Sequence, residues 1–387
     1  MSIPLAYNLR NLVVRKTTTL MTALGIALTV AVLLAILSLV SGLRATLSAS
    51  GDPLKVLILR QGSDSELVSN FSRPQFQDLK FKPGIAAGRD GQPLASLELV
   101  TVINLASVEN PNGTNVTVRG LPPSGIEMRP TVHLKTGRWF DPGRNEVVVG
   151  KLIAQRYPGA RIGQKIHVGR SDWEVVGVFD AVRGAQDSEI WADLNRLSAD
   201  MQRVEVLSSA LVQAKDAVSA AALINDIGSD QRLGMHALTE KEYYELQTAS
   251  GAPIEFVGIF VSIVMAVGSS FAAMNTMYAA VSRRAREIGT LRVLGFSRGS
   301  ILLSFFIESV LLSGLGGVLG CLLVLPLNGL TTGVGTSSFS ELAFDFHMTP
   351  QILMFGILFA VVLGSLGGFF PARMAANKEI LTSLREV

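Results

Sequence analysis

The stretch "TTTLMTALGIALTVAVLLAILSLV", residues 17–40, decides the fold because it contains no charged side chain over a length that can cross a bilayer. A helix rises about 1.5 Å per residue and the bilayer core is about 30 Å thick, so about 20 apolar residues are needed. Three more stretches of this kind follow, at 256–281, 301–327 and 352–370. The sequence therefore predicts four transmembrane helices.

The composition is that of a membrane protein with a large water-exposed part. Of the 387 residues, 48% are hydrophobic and 17% are charged, and the mean hydropathy is +0.39. Soluble domains have about 25% charged residues, and the segment between the first two apolar stretches has that ordinary composition. The predicted fold is therefore a four-helix membrane protein with a large extracytoplasmic α+β domain inserted between helices 1 and 2.

The orientation is predicted from lysine and arginine, which stay on the cytoplasmic side in short loops. Basic residues flank one end of every span, at Arg10, Arg15, Lys16, Arg283, Arg284, Arg286, Arg292, Arg298, Arg373, Lys378 and Arg385. Both termini are therefore predicted to be cytoplasmic. Residues 17–40 could instead be the core of a cleaved signal peptide, but such cores have about 7–15 residues, which favours an anchor.

These observations divide the chain into eight predicted segments. They are the N-terminus with the first transmembrane helix, the extracytoplasmic domain, the second helix, a basic loop, the third helix, a short external loop, the fourth helix and the C-terminus. Their boundaries are 1–42, 43–252, 253–281, 282–300, 301–327, 328–351, 352–371 and 372–387.

The extracytoplasmic segment has the composition of strands and short helices. Runs rich in β-branched residues and bordered by turn residues predict strands at 55–60, 97–105, 115–120 and 145–150, and a hairpin at 165–181. Helices are predicted at 192–203 and 218–227. A last helix is predicted in 238–250, where a Thr-x-x-Glu cap precedes it, and it could continue into the second span.

The sequence contains no arrangement typical of an enzyme. The histidines, His133, His167, His236 and His347, lack partners at metal-ligand spacing, and no phosphate-binding loop or nucleophile elbow occurs. The only cysteine, Cys321, lies in the third span, so the external domain should fold without disulfides. We predict a chain that is not an enzyme, binds no metal or cofactor, and has no basic stripe for nucleic acid.

Several motifs carry a family resemblance. The basic loop "RRAREIGTLRVLGFSRGSI" (283–301) resembles the cytoplasmic loop of MacB-like and FtsX-like permeases of ABC transporters, with Val293 in place of a small residue. The stretches "NLRNLVVRKTTTLMTALGIALTVA" (8–31), "FFIESVLLSGLGGVLG" (305–320) and "FFPARMAANKEILTSLREV" (369–387) are similar to the family's membrane segments. Residues 134–157 and 161–180 resemble its extracytoplasmic domain. The chain is thus identified as a member of the MacB/FtsX/LolC-like superfamily of mechanotransmission permeases.

The resemblance implies partners that the residues alone do not reveal. MacB-type members carry a nucleotide-binding domain in the same polypeptide, whereas here the permease segments start at once, so a separate ABC ATPase dimer that uses ATP and Mg is expected. A second copy of the permease or a paralogous permease would complete the complex, in a bacterial cytoplasmic (inner) membrane. An extracytoplasmic partner such as a periplasmic adaptor is also expected.

The basic loop is the expected site of ATPase coupling. In a helix, Ile288, Leu291 and Leu294 would lie near one apolar face, while Arg283 and Glu287 would pair at i, i+4. With the family's motif positions, the predicted coupling residues are Arg283, Arg286, Glu287, Ile288, Gly289, Leu291, Arg292 and Gly295. The alternative is that the arginines only set the topology and contact anionic lipid headgroups.

Polar and small residues within the spans form a second group of candidates. Glu308 lies in the third span, where an unpaired carboxylate is costly, and could pair with a cation, switch partners, or bond to a neighbouring helix near the interface. Gly316 and Gly320, like Gly364 and Gly368, are four residues apart and would clear a helix face for close packing.

The predicted function is a permease that transmits ATP-driven motion, for export with a periplasmic adaptor or for lipoprotein or lipid release. The first alternative is an FtsX-like regulatory transducer that activates an extracytoplasmic enzyme such as a cell-wall hydrolase. A membrane-anchored sensor without an ATPase would share the topology but would leave the loop motif unexplained. The sequence does not name the cargo.

Overall fold

The computed structural model describes residues 16–106, 110–248, 252–335 and 341–377, together with positions 4, 7, 10, 13 and 14. The chain forms two compact units. The first, which we call the membrane unit, comprises residues 1–42, 252–330 and 346–387. The second, the extracytoplasmic unit, comprises residues 43–251 and 331–345.

The helices of the described residues are numbered in chain order. They are α1 (Lys16–Ser50), α2 (Arg73–Leu79), α3 (Pro123–Glu127), α4 (Lys151–Arg156), α5 (Leu194–Asp200), α6 (Ala217–Ser229), α7 (Glu240–Thr248), α8 (Ala252–Arg283), α9 (Ala285–Val293), α10 (Arg298–Val324) and α11 (Pro350–Asn377). Short 3₁₀ turns lie at Pro158–Ala160, Ala185–Ser188 and Leu325–Leu327.

Four helices of the described residues are long and apolar enough to cross a membrane, namely α1, α8, α10 and α11. Each covers all or most of one of the four uncharged or nearly uncharged stretches of the sequence. Within a single segment, a helix satisfies every backbone polar group inside hydrocarbon. Their contacts with each other are made by small side chains and glycines as well as by Leu34, Val30 and Ala360, which are fully buried. At 35 residues, α1 exceeds the length that a bilayer requires.

The extracytoplasmic unit is built on one large mixed sheet. Its strands are β1 (Lys55–Arg60), β3 (Ala95–Leu105), β4 (Thr114–Leu121), β5 (His133–Gly137), β6 (Glu146–Gly150), β7 (Lys165–Val168), β8 (Ser171–Asp180), β9 (Glu189–Asp193), β11 (Ser209–Gln213) and β12 (Met235–Thr239). The order across the sheet is β12-β1-β11-β3-β4-β9-β6-β8-β5, and β7 pairs with β8. The pairs β4–β9 and β6–β8 are parallel and the other pairs are antiparallel.

Two short ribbons complete the strands of the described residues. Strands β2 (Phe71–Ser72) and β10 (Val206–Leu207) pair with each other, as do β13 (Thr331–Gly335) and β14 (Glu341–Asp345). The β13–β14 hairpin comes from the segment between α10 and α11, yet it belongs to the extracytoplasmic unit. The predicted short external loop therefore contains regular structure that pairs and packs.

The core of the extracytoplasmic unit is apolar on the faces of the sheet. Trp173 and Trp191 are fully buried, and the Trp191 ring lies 4.4 Å from that of Phe179, centroid to centroid. The continuous apolar run of β6, "VVV" at residues 147–149, is buried on both sides, as expected for a central strand of a mixed sheet.

Most of the predicted elements of this unit are present in the structure. The strands at 55–60, 97–105, 115–120 and 145–150 and the hairpin at 165–181 are found within two residues of their predicted limits. The Thr-x-x-Glu cap is a reciprocal capping box, in which the Glu242 N–H donates to Thr239 Oγ1 and the Thr239 N–H donates to Glu242 Oε2. The helix predicted at 192–203 is present as α5 but is shorter, Leu194–Asp200, because residues 189–193 form β9.

Some predictions concern residues outside the described ranges. They are the topology-setting residues Arg15, Lys378 and Arg385, and most of the C-terminal segment 372–387 beyond Asn377. Residues 249–251, across which a continuous helix into the second span was predicted, are also outside.

Candidate functional site

The predicted coupling loop folds as the short helix α9 between two membrane-spanning helices. It begins after Arg284, whose φ of −103° and ψ of 16° break the helical path of α8. Its end is fixed by Gly295, whose φ of +93° lies in the left-handed region that glycine adopts without a Cβ penalty. The Arg292 Nη1 atom donates to the Phe296 carbonyl at 3.2 Å, which helps to close this end.

Helix α9 has a buried and an exposed face. Ile288 is 1% exposed and packs with Val281, Ile301 and Phe305 in an apolar cluster of the membrane unit, and Gly289 is buried as well. Leu291 and Arg292 are half-buried, whereas Gly295 is exposed. The predicted apolar docking face of Ile288, Leu291 and Leu294 is therefore corrected, since Ile288 holds α9 to the bundle.

The exposed face of α9 consists of basic and apolar side chains. Arg283 and Arg286 are exposed, and they are followed by Val293 and Leu294, which are 64% and 65% exposed. Glu287 is also exposed over 57% of its side chain. The surface formed by Arg283 at the end of α8, Arg286 and Val293 of α9, and Leu294 directly after α9 is called the coupling face, after its predicted role.

The centre of the site is Arg284, which the sequence indicated only as one of the arginines that set the topology. Its side chain is 2% exposed, and its Nη1 atom donates to Glu308 Oε2 at 2.8 Å. Its Nε atom lies 3.4 Å from Glu287 Oε2. The predicted Arg283–Glu287 pair is thus replaced by an Arg284–Glu287 pair at i, i+3, because the chain bends at Arg284 and Arg283 ends α8.

Aromatic rings enclose the Arg284 guanidinium. Its Cζ atom lies 5.2 Å from the Phe305 ring centre and 5.7 Å from that of Tyr7, within the range of cation–π attraction. The Tyr7 hydroxyl donates to Glu287 Oε2 at 3.0 Å. Arg284, Tyr7 and Phe305 were not predicted from the sequence as residues of this site. The intramembrane Glu308 was a signal for Arg284, because a carboxylate within a span needs a cation as its partner and five arginines lie nearby in the sequence.

The two glycine pairs of the spans face different neighbours. A Cβ on Gly316 would lie 2.9 Å from the Ala23 carbonyl oxygen of α1, and one on Gly320 would lie 2.8 Å from that of Ala27. The other pair, Gly364 and Gly368 of α11, faces α10, where the Ser309 hydroxyl donates to the Gly364 carbonyl at 2.6 Å. Helix α10 thus packs closely against both α1 and α11.

The extracytoplasmic unit contains a buried charge network that the sequence analysis did not predict. Arg119 contacts three glutamates, with nitrogen–oxygen distances of 2.9 Å to Glu66, 2.7 Å to Glu98 and 2.8 Å to Glu189. Arg129 donates twice to Glu98, at 2.8 and 2.9 Å. Burial alone would raise the pKa of Glu98, but the two guanidinium groups hold it at about 2.

A crevice of about 90 Å³ adjoins this network within the extracytoplasmic unit. It lies among Glu66, Arg119 and Glu189, with Tyr243 and Tyr244 of α7 as further walls. Burial raises the pKa of both tyrosines above the ordinary value of a phenol. In the described part of the chain, no group of His, Cys, Asp and Glu side chains is arranged to hold a metal ion.

The 3₁₀ turn Ala185–Ser188 joins three segments that lead to the membrane-spanning helices. The Ala185 N–H donates to Ser50 Oγ at the end of α1, at 2.6 Å. The Gln186 amide donates to the Tyr244 hydroxyl of α7 at 3.3 Å. Ser188 bonds to the backbone of Ala343 in β14. We call this turn the junction turn.

Asp187, the buried carboxylate of the junction turn, also stabilises the strained loop around Val182 and Arg183. Val182 and Arg183 have φ of 50° and 68°, a left-handed conformation that costs roughly 1–2 kcal/mol for each such residue. Asp187 accepts hydrogen bonds from the Ala181 and Arg183 N–H groups, at 2.7 and 3.2 Å. Burial and the nearby charge of Asp180 raise the pKa of Asp187 to about 6, although these hydrogen bonds oppose the shift.

The fold and this site define a class of protein. The chain is a multi-pass membrane protein with a large α/β extracytoplasmic domain between its first and second spans and a short helix between its second and third. Residues 19–229 match the family model of the MacB-like periplasmic core domain, and residues 259–380 match that of the FtsX-like permease C-terminal region. The chain belongs to the MacB/FtsX family and is an ABC transporter permease.

Two relatives illustrate the extent of this similarity. The uncharacterized ABC transporter permease YknZ of Bacillus subtilis (strain 168) is 25% identical over an alignment that covers 97% of each chain. The macrolide export ATP-binding/permease protein MacB of Pasteurella multocida (strain Pm70) is 25% identical over 288 residues. That match covers 70% of this chain but 43% of MacB, so the chain spans less than half of that relative.

Among solved structures, the periplasmic region of MacB from Actinobacillus actinomycetemcomitans is similar, at 13% identity and a TM-score of 0.39. The alignment covers 51% of this chain and 93% of that chain.

Proposed function

We propose that this chain is the mechanical subunit of an ABC exporter, in which a separate ATPase docks on the coupling face of α9. The observation that supports this is the division of α9 into two faces. Its buried face is attached to the spans through Ile288 and Arg284, while the opposite face presents Val293 and Leu294 to water beside exposed arginines. Exposed large apolar side chains next to charge are typical of a protein-binding surface.

A helix that is attached to a helix bundle on one side and to an ATPase on the other transmits displacement from one to the other. A closely packed interior does not absorb small movements, so a shift of α9 must move the helices that contact it. This chain provides α9 and the helices that move with it, whereas ATP and Mg are bound, and ATP is hydrolysed, in the partner. A second copy of the permease, or a paralogous permease, pairs with the second ATPase subunit.

The membrane orientation belongs to the same proposal. The arginines of 283–298 lie in the loop that holds α9, and the loop between α10 and α11 has no lysine or arginine. Both termini and α9 then face the cytoplasm of a bacterium, and the large domain lies outside the cytoplasmic (inner) membrane. An ATPase can reach α9 only in this orientation.

For the extracytoplasmic output, we favour export with a periplasmic adaptor or release of lipoprotein or lipid. The support is the match of residues 19–229 to the MacB-like periplasmic core domain, because relatives that carry this domain are named as macrolide exporters. An FtsX-like activator of an extracytoplasmic enzyme would use the same coupling face, so only the outer partner separates the two functions.

The test replaces the coupling face without touching the buried face. The full chain is affinity-purified from its native membrane, and the ATP turnover that copurifies with it is measured for the wild type and for Val293→Glu/Leu294→Glu. We expect a loss of at least tenfold in associated turnover, because two carboxylates would stand at the centre of the interface. The control Val218→Glu changes an equally apolar side chain, 80% exposed, in the extracytoplasmic unit and should have no effect.

Wild-type turnover in the double variant would contradict the proposal and leave the loop as a topology signal that contacts lipid headgroups. Gly289 is unsuitable for this test, since it is buried and a large side chain there would disturb α9 itself. Purified permease without its partner should hydrolyse no ATP, and saturable turnover by the chain alone would also contradict the proposed division of labour.

A further inference from the structure

We propose that Arg284 is the positioning residue that fixes α9 to the third membrane-spanning helix, and that its ion pair with Glu308 carries the movement of the coupling face into the bundle. The role in transmission rests on the proposed function, whereas the contacts that Arg284 makes with Glu308 and Glu287 do not depend on an ATPase. Arg284 is the residue between the end of α8 and the start of α9, so its backbone conformation sets the direction of α9.

The side chain of Arg284 connects three separate parts of the membrane unit. It bonds to Glu308 of α10 at 2.8 Å, approaches Glu287 of α9 at 3.4 Å, and lies against the ring of Tyr7 from the N-terminal segment. The Tyr7 hydroxyl closes the arrangement through its bond to Glu287. A displacement of α9 therefore acts on α10 and on the N-terminal segment through one guanidinium group.

An ion pair at this position is better explained by orientation than by stability. Arg284 and Glu308 have side-chain exposures of 2% and 8%, and removing two charges from water costs about as much as their attraction returns. An apolar pair would pack equally well but would allow α9 to slide. A guanidinium fork has fixed donor directions, which restrict the register between α9 and α10.

Helix α10 is suited to receive this movement. The residue after Glu308, Ser309, donates to the Gly364 carbonyl of α11, and farther along α10 Gly316 and Gly320 lie against α1. No void separates α10 from these neighbours at the glycines, where even a Cβ atom would lie within 3.0 Å of the next helix. Movement that reaches Glu308 is thus passed to two further membrane-spanning helices.

The test measures the position of α9 in the full chain without any partner. In a Cys321→Ser background, spin labels on cysteines at Val293 and Leu303, both exposed, report the distance distribution between α9 and α10. The decisive variant is Arg284→Met/Glu308→Met, which leaves no buried lone charge. We expect its thermal unfolding to match the wild type while the width of the distribution at least doubles.

Two further variants make the result specific. Arg284→Lys keeps the cation and should give an intermediate width, whereas Ile288→Val shortens a buried apolar contact of α9 and should leave the width unchanged. If the double variant unfolds, the distance distribution is measured in Glu308→Gln instead, and we expect the same broadening of that distribution. A distribution as narrow as that of the wild type in the charge-free variant would overturn the inference.

Coupling is measured separately on the ATPase that copurifies with the chain. Where the distribution broadens, stimulation of ATP turnover by the permease should fall at least fivefold although Val293 and Leu294 are intact. Stimulation within twofold of the wild type would overturn the role of the ion pair in transmission. A wild-type chain that recruits no ATPase would contradict the proposed function, yet the distance measurement would still decide how α9 is held.

Discussion

Ser188 and Ala343 exchange two hydrogen bonds across 155 residues of sequence: the Ala343 N–H donates to Ser188 Oγ at 3.0 Å, and the Ser188 hydroxyl donates to the Ala343 carbonyl at 3.2 Å. This contact joins β14, which lies between the last two membrane-spanning helices, to the junction turn. The same turn bonds to Ser50 at the end of α1 and to Tyr244 of α7. The three segments that lead to the membrane-spanning helices are therefore all hydrogen-bonded to the four residues of the junction turn.

Replacing Ser188 should release the hairpin without unfolding the unit. Ser188→Ala leaves the buried Ala343 N–H unpaired, at a cost of about 1–3 kcal/mol. We expect faster amide hydrogen exchange at residues 342–344. Ser208→Ala is the matched control, since Ser208 makes the same two bonds to Val100 in the sheet and should not affect the hairpin. Equal exchange at 342–344 in both variants would show that Ser188 does not hold β14.

Removing Arg119 should be among the most destabilising single changes in the extracytoplasmic unit. Arg119→Met leaves three buried glutamates with too few cations, and breaking a buried ion pair in this way costs about 3–5 kcal/mol. Arg144→Met, at a side chain 67% exposed, should change stability by less than about 0.5 kcal/mol. Denaturant unfolding followed by tryptophan fluorescence measures both. Similar midpoints for the two variants would contradict a structural role for the network.

The same network predicts how the wild type responds to acid. The pKa of Glu98 is about 2 in the folded chain, below its unfolded value of about 4.3. The contribution of Glu98 to the free energy of unfolding is therefore present above about pH 4.3 and is lost as the pH falls toward 2. Asp187 behaves oppositely. Its folded pKa of about 6 exceeds the unfolded value of about 3.9, so its contribution is complete below about pH 4 and is lost as the pH rises through 6.

The Asp187 contribution can be isolated by comparing variants between pH 7.5 and 5. We expect wild-type stability to rise relative to Asp187→Asn on acidification, by less than about 3 kcal/mol, since one pKa unit corresponds to about 1.4 kcal/mol. Asp64→Asn, at an exposed position, should follow the wild type. A parallel pH dependence of Asp187→Asn and the wild type would exclude a raised pKa at Asp187.

The glycine contacts of α10 predict a position-specific effect of a small substitution. Gly320→Val should impair assembly of the helices, because a Cβ there would lie 2.8 Å from the Ala27 carbonyl oxygen. Gly314→Val, on the same helix, meets nothing within 4 Å and should be tolerated. Thermal unfolding of the detergent-solubilised chain distinguishes the two. A tolerated Gly320→Val would mean that α1 and α10 are not closely packed.

The topology can be tested with single cysteines in a Cys321→Ser background. Asn112 and Val293 are both exposed, and Ser338, in the predicted external loop, lies outside the described residues. An impermeant thiol reagent should label a cysteine at 112 or 338 in spheroplasts. One at 293 should be labelled only after the membrane is opened. Labelling at 293 from outside would reverse the proposed orientation.

The sequence by itself determined the membrane-spanning helices, the inserted domain and the position of the short helix α9. Long uncharged runs such as 17–40 have one stable form in hydrocarbon, since the backbone must satisfy its own hydrogen bonds. The alternating and apolar runs of β1, β3, β4 and β6 were equally clear, because their side chains must match a half-buried or buried sheet. The family motifs then placed α9 within the basic loop.

Only the tertiary structure decided which side chains of these elements act together. Periodicity placed Ile288 and Leu294 on one apolar face of the predicted helix. Such a face has the same sequence pattern whether it packs on the helix bundle or binds a partner. In the structure Ile288 is buried in the bundle, whereas Leu294 is exposed. Five neighbouring arginines are equivalent in sequence, yet the bend after α8 directs Arg284 toward Glu308, 24 residues away. The Ser188–Ala343 bonds and the Arg119 network likewise join distant residues, whose approach depends on how the whole chain folds and leaves no local signal.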